Sequence, residues 1–228
     1  MRLLLFDIDG TLLSARGAGR RAVKLALERV FGTSGGIDHY DLGGKTDQRI
    51  VFDVMEAAGV PRHTVKARLG DVFETYARAL AEAIGDGRNV TTLPGVADLI
   101  RRLHRTDGAL VGLLTGNIEE GARIKLEPTG LWPYFSVGAF GSDHVDRRRL
   151  PSLAARRAHA LTGYPFRPEQ VVVIGDTPLD IECARAFGAV AVAVATGLHS
   201  RAALLNEQPD LCFDDLSDFE RVITALMA

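Results

Sequence analysis

Leu3-Leu4-Leu5-Phe6-Asp7-Ile8-Asp9-Gly10-Thr11 runs an apolar stretch straight into two aspartates and a glycine. A short, uninterrupted apolar run bounded by glycine reads as a strand buried on both faces, the kind that parallel sheets contain. Its last residues then lie at the sheet's carboxyl edge. Open α/β sheets bind their ligands beyond that edge, so two carboxylates there point to chemistry rather than to folding.

Two other readings of the stretch are weaker. An EF-hand calcium loop needs glycine at its sixth position and glutamate at its twelfth, where this chain has Leu12 and Ala18. A plain turn would explain Asp and Gly ending a strand, but not the polar residues that recur at later strand ends.

The chain has 228 residues, a formal charge of -2 and 46% hydrophobic residues. It is long enough to bury a sizeable core and carries no basic excess that would favour nucleic acid. Cys183 and Cys212 show no metal or redox spacing, which suits a reducing compartment. The apolar run before Asp7 is too short for the core of a signal peptide, and no stretch of about 18 apolar residues occurs. A cytoplasmic protein with no membrane partner is expected.

After Thr11 the pattern turns helical: 18–31, 47–58 and 62–84 each carry an apolar stripe, with no strand between them. Roughly seventy residues exceed what one crossover connection needs, so a helical subdomain inserted after the first strand is expected. The predicted division is an α/β core of residues 1–14 and 90–228 and a helical cap of residues 15–89. Beyond it, strands are predicted at 109–114, 134–140, 170–174 and 190–195, with helices between them and one at 217–227. The fold class is therefore α/β, a doubly wound parallel (Rossmann-like) sheet with an inserted helical cap. A barrel would need eight strand–helix units, and only five strands are predicted.

Polar residues gather at three strand ends: Asp7, Asp9 and Thr11; Thr115 and Asn117; Asp176 and Asp180. A parallel sheet brings such ends to one edge. Two unit charges about 4 Å apart at an effective dielectric near 20 repel by about 4 kcal/mol, so clustered carboxylates imply a cation. Few oxygen ligands completed by water and phosphate suit Mg²⁺. Thr115 and the amides of Gly116 and Asn117, at a helix N-terminus, are candidate phosphate donors.

These residues resemble the motifs of the haloacid dehalogenase superfamily of phosphohydrolases, in that family's order. Asp7-Ile8-Asp9-Gly10-Thr11 stands as the first motif, Thr115-Gly116-Asn117 as the second and Gly175-Asp176-Thr177-Pro178-Leu179-Asp180 as the fourth. The helical block looks like the cap of phosphoglycolate phosphatases. The resemblance implies a phosphatase acting on a small phosphorylated substrate through an aspartyl phosphate. Asp7 would be the nucleophile and Asp9 the acid and then the base. Asp176 and the Asp9 backbone carbonyl would join Asp7 as Mg²⁺ ligands, with Asp180 orienting the metal's surroundings. Asp9 also separates this chain from the carbon–halogen cleaving members, which lack an aspartate there. A phosphomutase or a phosphate-ligand binding protein without turnover are the alternatives, and the oligomeric state is open.

The family's third motif is usually a lysine before proline, and here Asp146-Arg147-Arg148-Arg149-Leu150-Pro151 occupies that region. Arg147 is the first choice for the phosphate-binding cation, then Arg148, although a planar guanidinium is not a lysine in geometry. Gly17-Ala18-Gly19-Arg20-Arg21-Ala22 matches a dinucleotide fingerprint on paper, but it does not follow the strand directly and reads as the entry to the cap. In the cap, Gly43-Gly44-Lys45-Thr46-Asp47 precedes a helix. Thr46 or Asp47 would cap it, Gly44 would allow close approach, and Lys45 is placed to meet the leaving group.

Overall fold

A computed structural model describes residues 1–228. In chain order the elements are β1 (Arg2–Phe6), β2 (Leu13–Ser14), α1 (Ala18–Phe31), α2 (Asp47–Ala57), α3 (Arg62–Ile84), β3 (Thr91–Thr92) and α4 (Val96–Leu103). Then follow β4 (Ala109–Leu114), α5 (Glu119–Leu126), β5 (Val137–Ala139), α6 (Leu150–Thr162), β6 (Val171–Gly175) and α7 (Pro178–Phe187). The chain ends with β7 (Val190–Val194), α8 (Arg201–Asn206), β8 (Leu211–Phe213) and α9 (Phe219–Met227).

Six parallel strands form the main sheet in the order β5-β4-β1-β6-β7-β8. Side chains alternate across it, so Leu4 and Phe6 of β1 enter one apolar layer while Leu3 and Leu5 enter the other. The second layer is closed by α6, α7 and α8 through Leu150, Ala154, Ile181 and Leu204. The first layer is closed by α4 and α9 through Leu99, Leu103, Val222 and Leu226. It continues through Ile118, Ala122 and Leu126, at and along α5, into α1, α2 and α3.

The predicted parallel sheet with helices on both faces is present, with corrections at its margin. A sixth strand, β8, was not expected, because three apolar residues are fewer than the usual strand signal. The strand expected at 134–140 shrinks to Val137–Ala139, because Trp132-Pro133-Tyr134 forms a 3₁₀ turn in which proline cannot donate to a ladder. The two passages between the sheet and the helical segment pair as a short antiparallel ribbon, Leu13 with Thr92 and Ser14 with Thr91.

The order places the candidate residues. From β1 the chain moves to β4 and outward to β5, then returns to the other side of β1 for β6, β7 and β8. That reversal makes a crevice beyond the carboxyl ends of β4, β1 and β6. Phe6 pairs with Leu113 on one side and Ile174 on the other, which aligns the three strand ends.

Candidate active site

Asp7 leaves β1 with its amide still donating to the Ile174 carbonyl at 2.9 Å. The chain then doubles back, Leu12 and Leu13 donating to the Ile8 carbonyl at 2.9 and 3.0 Å. Gly10 takes a left-handed φ of 84°, and a Cβ there would strike the Asp176 carboxylate, so glycine is required on two counts. Thr11 donates from its hydroxyl to Asp176 at 2.9 Å and thereby orients that carboxylate. Thr196, after β7, donates to the Gly10 carbonyl at 2.6 Å and holds the turn from outside.

On the other side, Asp180 ties down the start of α7. The Thr177 hydroxyl and amide both donate to Asp180 Oδ2, at 2.7 and 3.1 Å. The remaining Asp180 oxygen is ion-paired with Arg147. Arg147 is 6% exposed and stands 3.4 Å from an Asp7 oxygen, while donating to the Gly44 carbonyl at 3.1 Å and the Leu114 carbonyl at 3.3 Å. Its neighbours differ: Arg148 pairs with Asp146 at 2.9 Å and is exposed, as is Arg149. Of the three arginines only Arg147 reaches the crevice.

Oxygens of Asp7, Asp176 and Asp180 lie within 4.8 Å of one another, all three carboxyls buried. Burial raises Asp7 to about 6, with Arg147 opposing and Asp180 adding to the rise. Burial, with the charges of Asp180 and Asp7, pushes Asp176 to about 8. With all three ionised, three carboxylates against one guanidinium leave two negative charges uncompensated, and the donors are hard oxygens. This donor set fits a divalent oxygen-seeking cation such as Mg²⁺. The Asp9 carboxylate stands outside the cluster, bound by Lys125 at 2.5 Å and the Asn117 amide at 2.9 Å.

Residues 4–185 match the family described as haloacid dehalogenase-like hydrolase. The chain belongs to the haloacid dehalogenase-like hydrolases. It is similar to a phosphoglycolate phosphatase of Synechococcus elongatus, 30% identical over all of this chain and 99% of the relative. It is also similar to the pyrophosphatase PpaX of Anoxybacillus flavithermus, 27% identical over 96% of this chain and 95% of the relative. A solved hydrolase from Pseudomonas syringae shares the fold, with a TM-score of 0.73 at 20% identity over 99% of both chains.

In this haloacid dehalogenase-like hydrolase Asp7, Asp9, Thr115, Gly116, Asn117, Arg147 and Asp176 line one cavity of about 440 Å³, while Thr11 and Asp180 stand outside its lining. Lys45 also borders it, but its ammonium is turned to its own loop, donating to the Asp41 carbonyl at 2.5 Å and lying 4.8 Å from the centre of the Tyr40 ring. Gly44 approaches Thr177 and Leu179, where a Cβ would collide, and takes a φ of 67°.

Two residues escaped the sequence reading. Lys125, 3% exposed, donates to Asp9 and, at 2.6 Å, to the Asn117 side-chain oxygen Oδ1. Its signal was a charged residue on the buried face of α5, in register with Ala122 and Leu126. Asp47 was read only as a helix cap. Its carboxylate accepts from the Ile118 amide at 2.8 Å and its own amide donates to the Gly116 carbonyl at 2.7 Å. Thr46 is the cap of α2, accepting from Arg49, and its hydroxyl donates to the Val145 carbonyl at 2.8 Å.

Proposed function

We propose that this hydrolase is a Mg²⁺-dependent phosphatase of a small phosphomonoester, working through an aspartyl phosphate on Asp7, with residues 15–89 as its cap. The observation that carries the reading is the juxtaposition of Asp7, a buried guanidinium and two further buried carboxylates at the sheet's switch point. The 30% identity to a phosphoglycolate phosphatase over the whole chain makes 2-phosphoglycolate the first substrate to try.

An Asp7 oxygen attacks phosphorus while Asp9 gives a proton to the departing oxygen; Asp9 then takes a proton from the water that hydrolyses the acyl phosphate. Arg147 holds the nucleophile's carboxylate and its charge opposes that of the phosphoryl oxygens, in a site too buried for water to screen it. The Gly116 and Asn117 amides add backbone donors at the start of α5. Mg²⁺, held by Asp7 and Asp176 with Asp180 behind them, would supply the charge that keeps these carboxyls ionised and would neutralise phosphoryl oxygens. The cap segment touches the phosphate loop through Asp47, so its closure would restrict water at the reacting atoms.

The test is phosphate release from 2-phosphoglycolate and other small phosphomonoesters, with Mg²⁺ or with chelator, for the wild type and Asp7→Asn. Metal-dependent release that disappears in the variant is expected. Undiminished release by Asp7→Asn would remove the nucleophile from the scheme, and interconversion of isomers without net phosphate would point to a mutase.

A further inference from the structure

Three donors around the same cavity are unspent. Tyr76 of α3 is 2% exposed, borders the cavity, and has no hydrogen-bond partner for its hydroxyl. Burial holds the phenol well above its ordinary range, so it is a neutral donor. The Lys125 ammonium has three N–H groups and gives two of them, to Asp9 and Asn117. Arg16, at the mouth of the segment leading to α1, borders the cavity with a left-handed φ of 46°, and its guanidinium makes no hydrogen bond or ion pair within the chain.

Gly19 locates the meeting point of the first two. A Cβ at this position of α1 would stand 3.4 Å from Lys125 Nζ and 3.9 Å from the Tyr76 hydroxyl. Gly19 is the second residue of α1, and its lack of a side chain leaves a gap there. Because Lys125 touches Asp9, the proposed acid for the leaving oxygen, the gap lies on the leaving-group side of the reacting atoms.

We infer that Tyr76, Lys125 and Arg16 form a specificity subsite for an anionic oxygen on the alcohol portion of the ester, a carboxylate close to the esterified carbon. The inference rests on the phosphatase reading above and deepens it. Tyr76 and Lys125 meet beside Gly19, and Arg16 adds a second cation to the lining of the same cavity, so an acceptor bearing negative charge suits this donor set. A bare alkyl group would cover the cavity-facing hydroxyl and an ammonium N–H without pairing either.

Two esters with the same carbon count, 2-phosphoglycolate and ethyl phosphate, differ at that carboxylate. With Mg²⁺ present, the wild type is expected to favour phosphoglycolate in kcat/KM. Tyr76→Phe, which keeps the ring, is expected to lower kcat/KM for phosphoglycolate about tenfold or more, chiefly through KM, and to change ethyl phosphate less than about twofold. Gly19→Ala fills the gap with no contact shorter than 3.4 Å, so a matching loss on phosphoglycolate is not a folding defect. Equal losses on both esters, or no preference in the wild type, would overturn the subsite and leave the phosphatase reading standing. No phosphate release from any ester by the wild type would overturn both.

Discussion

Arg147 concentrates the energetics of the site in a single side chain. Its guanidinium lies buried among Asp7, Asp180 and two backbone carbonyls. Breaking a buried ion pair by removing one partner leaves the other charge stranded. Arg147→Ala is therefore expected to destabilise the protein by about 3 kcal/mol in chemical denaturation and to abolish measurable turnover. Arg147→Lys keeps a charge but cannot span Asp180, Asp7 and the Gly44 carbonyl at once, so a fall in kcat of about a hundredfold with a smaller loss of stability is expected. A lysine variant with wild-type kcat would count against this role. The sequence narrowed this position to a run of three arginines. Packing distinguished them, since only the first faces inward from the 3₁₀ turn before α6.

At the level of elements, the contact that matters most is the start of α2 against the loop after β4. Asp47 exchanges two hydrogen bonds with Gly116 and Ile118, the loop whose amides are proposed to face phosphate. Gln48 adds a bond to the Ser142 carbonyl at 2.7 Å. In the proposed scheme, closure of the cap segment is thereby joined to the shape of the phosphate loop. Asp47→Ala removes the side-chain half of this clasp, worth about 1 kcal/mol. The closed population then falls, and KM is expected to rise several-fold by a similar factor for every substrate. A change confined to one substrate would assign Asp47 to recognition instead. Sequence periodicity revealed α1, α2 and α3 but not this clasp, because hydrogen bonds across about seventy residues leave no local pattern.

On the scale of the whole molecule, stability should depend on pH and metal in opposite senses. In the metal-free protein Asp176 is raised to about 8 and Asp7 to about 6, from an ordinary 3.8. Between those values the folded chain binds protons that the unfolded chain has released, so stability falls as pH rises from about 4 toward 8. Thermal melts after chelation are expected to give a higher Tm near pH 5 than near pH 8. Mg²⁺ is expected to raise Tm more near pH 8, where it displaces fewer protons. A chelated protein whose Tm climbs steadily across this interval would contradict the raised carboxyls.

The sequence by itself determined the alternation of strands and helices and the helical segment after β1. It also determined which strand ends carry carboxylates, since these are local patterns of apolar periodicity and punctuation. Tertiary structure alone decided the order β5-β4-β1-β6-β7-β8, the addition of the short edge strand β8, and the choice of Arg147 among its neighbours. It also decided that Lys125 lies buried between Asp9 and Asn117. The physical reason is common to all of these. Each depends on what a residue meets after the chain has turned through several elements, and burial can reverse what a side chain would prefer in water.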